Sequence, residues 1–286
     1  MEITAGIVKQ LRELTGAGMM DCKKALNETN GDIEAAVTWL REKGIAKAAK
    51  RAGRIAAEGL TKAFTSGNQA VIVEVNSETD FVARNDQFLE LIDGIGAALL
   101  KSDVKSIGEA ESLKIGDATI ADLVIDATAT IGEKISFRRF ARLEKTTEEI
   151  FGLYIHMGGK ISTLAVLKDA NEEVAKDIAM QVASMNPQFV SRENMDPAFV
   201  EKERSIQWEI LKNDEKMADK PEMVLQKALE GRLSKSLKEI CLVDQEFFKD
   251  PDQSVGAYLK SHGAAVREFV RYAVGEGIDK SAAEEE

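Results

Sequence analysis

A chain of 286 residues has room for one large domain or for two to three smaller ones. Its composition, 44% hydrophobic and 30% charged, is that of an ordinary globular protein, and 6% aromatics with only 4 prolines favour helices over a β-sandwich. A formal net charge of −11 argues against sequence-independent binding of nucleic acid, which depends on neutralising phosphates with Lys and Arg.

Cys22 and Cys241 lie far apart and neither has a CxxC neighbour, so a disulfide framework and a zinc site are both disfavoured and a reducing cytoplasm is the expected compartment. No apolar run approaches the roughly 18 residues of a membrane span, and no secretory apolar segment opens the chain.

Residues 1–54 read as a three-helix module. Thr4 can cap a first helix with Ile7, Val8, Leu11 and Leu14 at helical spacing, ended by Gly16 and Gly18. A second helix carries Cys22, Ala25 and Leu26 and stops at Asn30-Gly31. Asp32 caps a third, with Ile33, Ala36, Val37 and Leu40 facing inward and Gly44 closing it. Met19 and Met20 open the second helix, and adjacent residues cannot both face one core, so at least one is expected at a contact surface. The stretch AKAAKRAGRIAAEG then reads as an exposed connecting helix, with a basic contact surface as the alternative.

The middle of the chain holds a degenerate repeat. GLTKAFTSGNQAVIVEVNS runs strand, turn, strand, and leads to an amphipathic helix with Phe88, Leu91, Ile92, Ile95 and Leu99. GLYIHMGGKISTLAVLKDA does the same, followed by Val174, Ile178, Val182 and Met185. Residues 134–143 and 265–274 alternate like a third strand for each sheet. The hairpin connections are too short for parallel crossovers, so the fold class is α+β with two related halves and small antiparallel sheets.

Between the repeats, Asp196-Pro197 and Lys220-Pro221 each start a helix, the first with Phe199, Val200, Ile206 and Ile210, the second with Val224, Ala228, Leu229 and Leu233. The expected division is 1–54 for the helical module, 55–145 and 146–195 for the two core halves and 196–240 for an inserted antiparallel helical hairpin. Residues 241–278 then return to the second half, and 279–286 form an acidic tail.

Catalytic material is scarce. With only 2 histidines, His156 and His262, triads and His-based metal sites have little to build on. MGGKIS falls short of a phosphate-binding loop, because Tyr154 stands where the motif needs Gly and Ile161 follows Lys160 in place of Ser or Thr. The reading is therefore a protein that is not an enzyme, with no cofactor and no metal.

VIVEVNSETDFVARNDQF, residues 71–88, sets a phenylalanine just past a strand end. Phe81 lies seven residues before Phe88, so one continuous helix would put both rings on the core face. Asn85 as a fresh cap would break that helix, and Phe81 would then stand outside it.

Two stretches carry a family resemblance. LRELTGAGMMDCKKAL, residues 11–26, and EVNSETDFVA, residues 74–83, resemble the two signatures of the bacterial elongation factor Ts family. The likeness extends through TIGEKISFRR, HMGGKI, IAMQVA and VGEGI. The spacing resembles the full-length form that keeps the helical hairpin, and the N-terminal module is similar to ubiquitin-associated domains.

The resemblance implies a guanine-nucleotide exchange factor for elongation factor Tu, in its GDP-bound and nucleotide-free forms, acting in translation elongation in the cytoplasm. It implies no direct nucleic acid and no membrane as partners, with the helical hairpin as a candidate surface for a homodimer or a 2:2 complex. By residue, it implies that Thr79, Asp80, Phe81 and Val82 form the loop that disturbs the nucleotide and magnesium site of the partner, with Phe81 as the wedge. Further contacts are implied at Arg12, Met19, Met20, Lys23, Ile131, Gly132 and His156. A rival reading is an adaptor that binds protein without driving exchange, but an adaptor has no use for a wedge at a strand end.

Overall fold

The computed structural model describes residues 3–215, 217 and 220–280; of the expected acidic tail, residues 281–286 lie outside the described residues. Contacts divide the chain into two compact units, one made of the chain up to Leu143 with Ile155–Ser162 and the segment from Tyr272 onward, the other of Glu144–Tyr154 and Thr163–Arg271.

The first unit opens with three helices. Helix α1 (Ala5–Thr15) starts where the Thr4 hydroxyl accepts the Ile7 N–H, and ends at Gly16 in the left-handed region. Helix α2 (Met19–Glu28) follows, and α3 (Ile33–Arg51) begins where the Asp32 carboxylate accepts the Ala35 N–H at 3.0 Å. Val8, Leu11, Cys22, Ala25, Leu26 and Ala36 form their shared core.

Three expectations need correction here. Gly44 does not end the third helix, which runs on to Arg51 and absorbs most of the stretch read as a separate connecting helix. A Cβ at Gly44 would stand 3.1 Å from that of Ala129, so this glycine permits close helix packing. Leu14 and Val37, at helical spacing with the core positions, are exposed, and the core is filled instead by Val8, Leu11, Leu26 and small residues, with Trp39 packed against it.

Strands β1 (Glu58–Ser66) and β2 (Gln69–Ser77) pair antiparallel from Glu58 opposite Ser77 to Ser66 opposite Gln69. Helix α4 (Asp86–Leu100) covers them, followed by the short α5 (Ile107–Glu111) and a two-stranded ribbon of β3 (Lys114–Ile115) and β4 (Ala118–Thr119). A capping box of Thr119 and Asp122 then starts α6 (Ile120–Ile131), and β5 (Ser136–Glu144) completes the sheet in the order β1-β2-β5. Val71, Val73 and Val75 meet Phe88, Ile92, Ile95, Leu99 and Phe137 in the core.

The second sheet repeats the plan with β6 (Glu149–His156) and β7 (Ile161–Lys168) as its hairpin and α7 (Glu172–Met185) as its helix. Helices α8 (Pro197–Lys212) and α9 (Glu222–Ile240) come next. A small ribbon of β8 (Glu246–Phe247) and β9 (Asp250–Ser254), helix α10 (Val255–Ser261) and β10 (Ala265–Ala273) follow, giving the sheet order β10-β7-β6. In both sheets the second hairpin strand is central, and the third strand that the sequence offers to each sheet lies beside it.

Helices α8 and α9 lie side by side, with Arg204 ion-paired to Glu230, Ser236 donating to Glu203 at 2.6 Å and Arg232 donating to Asp214 at 3.0 Å. Their apolar contact is made by Phe199, Val200, Leu233 and Leu237, together with Met195 and Cys241. Ile206, Ile210 and Val224, apolar positions of these helices, are exposed, as is Met185 at the end of α7.

Candidate functional site

The segment after β2 is fixed at both ends. Upstream, every residue from Ala70 to Ser77 is buried, so the strand cannot slide. Downstream, Val82 and Ala83 sink into the core in a single 3-10 turn, and the Asn85 side chain accepts the Gln87 N–H at 2.9 Å and the Phe88 N–H to cap α4. Asn85 itself is extended, at φ −77° and ψ 131°, so no continuous helix joins Phe81 to Phe88. Phe88 is fully buried, whereas Phe81 is 81% exposed. The core-face alternative for Phe81 is thereby removed.

Asp80 is exposed beside Phe81. Val82, expected to flank the wedge, is 6% exposed and anchors the loop in the core. Thr79 is half-buried and does not point freely outward. Its N–H and its hydroxyl both donate to the Glu133 carboxylate, at 2.9 and 2.6 Å. In the opposite sense, the Glu78 carboxylate accepts the Lys134 N–H at 2.6 Å and pairs with Arg51 and Arg54. Burial works against the charge on Glu78, yet the Lys134 N–H and the two guanidiniums outweigh it and hold its carboxyl below the usual range.

Ile131 and Gly132 are therefore brought up to the loop, since Glu133 follows them directly. Ile131 packs partly against the core, and Gly132 closes α6 in the left-handed region with its N–H on the Thr128 carbonyl. The turn between α1 and α2 adjoins the same region: a Cβ on Gly16 would lie 2.7 Å from the Gln87 side chain and 3.6 Å from Thr130. Met19 and Met20, just beyond that turn, are 53% and 76% exposed, and Arg12 and Lys23 are exposed as well.

His156 is half-buried at the end of β6. The turn after it docks on β1: a Cβ on Gly159 would press on Leu60 at 2.9 Å and the Thr61 carbonyl at 3.0 Å, and Thr61 donates to the Gly159 carbonyl at 2.9 Å. Leu60 and Thr61 pair with Val75 and Glu74, a few residues before the loop. Beneath lies Glu74, fully buried, bonded by Arg138, Arg139, Asn76 and the Gly275 N–H. Burial opposes its ionisation, but these donors prevail and keep its carboxyl below the usual range.

Several exposed residues escaped the sequence reading. Leu14, 64% exposed, lies in the last turn of α1 beside the glycine turn, although its spacing from Val8 and Leu11 is helical. Met157 is exposed beside His156 and sits at φ 49°, unusual for a side chain of its size, where only the neighbouring glycines hinted at a turn. Glu133 and Glu78 carry no local signal, because the backbone groups they bind at Thr79 and Lys134 are 54 and 56 residues distant.

Comparison with known proteins bears on these same segments. The family model described as Elongation factor TS matches residues 78–276, and a UBA-like domain model matches residues 6–47, the span of α1 to α3. The chain is 56% identical over 281 residues to a protein of Acholeplasma laidlawii (strain PG-8A) named Elongation factor Ts, an alignment covering 98% of this chain and 95% of that one.

Proposed function

The chain belongs to the elongation factor Ts family of translation elongation factors, and from that premise we propose that it is a guanine-nucleotide exchange factor for elongation factor Tu. It makes and breaks no covalent bond itself. It acts by binding one state of its partner better than another, which is all that a ligand can do to an equilibrium.

The observation that carries the reading is Phe81: a large apolar ring held in water, on a loop pinned by Val82 below and by Glu133 at the side. Exposing such a ring is useful if a partner buries it. GDP and its Mg²⁺ are held by oriented backbone amides and by an octahedral metal shell that tolerates little distortion. A ring inserted between the elements supporting those groups displaces them, and the metal and then the nucleotide leave. Met19, Met20, Arg12 and Lys23 on the helical module supply the grip that brings the ring into place, with Ile131, Gly132 and His156 widening the contact.

Coupling of this kind is reciprocal: the factor by which the protein weakens GDP binding is the factor by which GDP weakens binding of the protein. The test is complex formation with nucleotide-free elongation factor Tu, followed by titration with GDP. A stable complex that GDP dissolves is the expected result. Absence of a complex, or one indifferent to GDP, would reject the exchange function.

A further inference from the structure

Resting on the exchange reading above, we propose that Glu133 is a positioning residue for nucleotide exchange, fixing the Phe81 loop through Thr79. The geometry is a pair of crossed carboxylate clamps. Glu133 takes the N–H and hydroxyl of Thr79, and Glu78, the residue before Thr79, takes the N–H of Lys134, the residue after Glu133. Each carboxylate reaches over to the other segment's backbone, so the post-β2 loop and the turn from α6 into β5 are locked in one relative position.

The lock extends to the helical module. Arg51 at the end of α3 and Arg54 just beyond it pair with Glu78, and the Lys134 ammonium donates to the Ala52 and Arg54 carbonyls at 2.7 Å each. Ser77 adds a hydrogen bond to the Thr79 carbonyl at 2.8 Å. Thr79 is thus held at its N–H, its hydroxyl and its carbonyl, two residues before a ring that has almost no packing of its own.

A wedge transmits force only if its base is rigid. Phe81 is exposed, so nothing around the ring orients it, and its direction is inherited from Thr79 on one side and Val82 on the other. Val82 is held by burial, and the Phe81 and Val82 carbonyls accept the Arg84 and Asn85 N–H groups, so the loop is fixed on its downstream side. Glu133 supplies the second fixed point. If it is removed, the competent orientation becomes one of several, and action through that orientation falls in proportion to its population. The sheet does not depend on Glu133, because β5 is held in it by its own pairing with β2.

The experiment compares Glu133→Ala and Glu133→Gln in the full chain, with labelled GDP on elongation factor Tu. Glu133→Ala is expected to slow maximal GDP release about tenfold, the usual scale for losing hydrogen bonds to a charged group. Affinity for GDP-bound elongation factor Tu should hold within about twofold, since the contacts made before the ring inserts do not pass through the loop. Glu133→Gln should restore most of the rate, as its amide oxygen still accepts the Thr79 N–H. In a Phe81→Ala background, Glu133→Ala should add nothing, because the ring it orients is gone.

Amide hydrogen exchange of residues 78–82 in the free protein should quicken in Glu133→Ala and stay slow in Glu133→Gln. Wild-type release by Glu133→Ala, unchanged amide protection, or an equal loss in the Phe81→Ala background would each overturn the positioning role. If the unaltered protein fails to speed GDP release at all, the exchange reading itself falls, and this role with it.

Discussion

Truncating Phe81 to alanine separates binding energy from folding energy in a single residue. The ring is 81% exposed. With about 150 Å² for a phenylalanine side chain, about 120 Å² is available for burial against a partner, worth about 3 kcal/mol at about 25 cal/mol/Å². If most of that is realised only as the nucleotide leaves, GDP release should slow by between about tenfold and about a hundredfold. Folding stability should change by no more than about 0.5 kcal/mol, as at other surface positions. Phe88→Ala is the matched control: that ring is fully buried, and its loss should cost about 3–5 kcal/mol while leaving exchange per folded molecule intact. A thermal melt and a stopped-flow GDP-release trace on each variant provide the four numbers required. Equal destabilisation by the two substitutions, or normal exchange in Phe81→Ala, would refute the assignment of the ring as a wedge.

Replacing Met19 and Met20 together by Ser should weaken binding to elongation factor Tu by about 1–2 kcal/mol for each lost anchor, with the melt almost unmoved because both side chains are exposed; calorimetric titration reads it. Gly275→Ala should destabilise by more than about 2 kcal/mol in a denaturant melt, since the residue sits at φ 71° and a Cβ would lie 2.2 Å from the Ala57 carbonyl oxygen. Glu74→Gln should cost at least about 2 kcal/mol near neutral pH by leaving Arg138 and Arg139 without their buried partner. Because the Glu74 carboxyl is held below its ordinary value, its contribution is present above the unfolded carboxylate range and lost as pH falls through the folded value, so the two proteins should converge in stability in strong acid.

The repeat was legible because each hairpin shows strand alternation broken by Gly-containing turns, then switches to helical period, and these local signals agree with the sheet order. The Asp32 and Asn85 caps were legible for the same local reason. Sidedness within short helices was not. Leu14 and Val37 have helical spacing, yet six smaller or better-placed residues fill the core of the module first. Gly44 resembles a helix stop until Ala129, far along the chain, is placed against it. Val82 follows Phe81 in the signature, and no periodicity distinguishes the buried member of that pair from the exposed one. Glu133 and Glu78 were invisible as a pair, since a carboxylate reads as solvated until the fold brings a distant N–H to it.

The central claim, that the chain drives nucleotide exchange, is tested most directly by the release of fluorescent GDP from elongation factor Tu in the presence of excess unlabelled nucleotide. Catalytic amounts of the protein should accelerate release in proportion to their concentration, and the acceleration should saturate. Release at the spontaneous rate, whatever the concentration of this protein, would contradict the account.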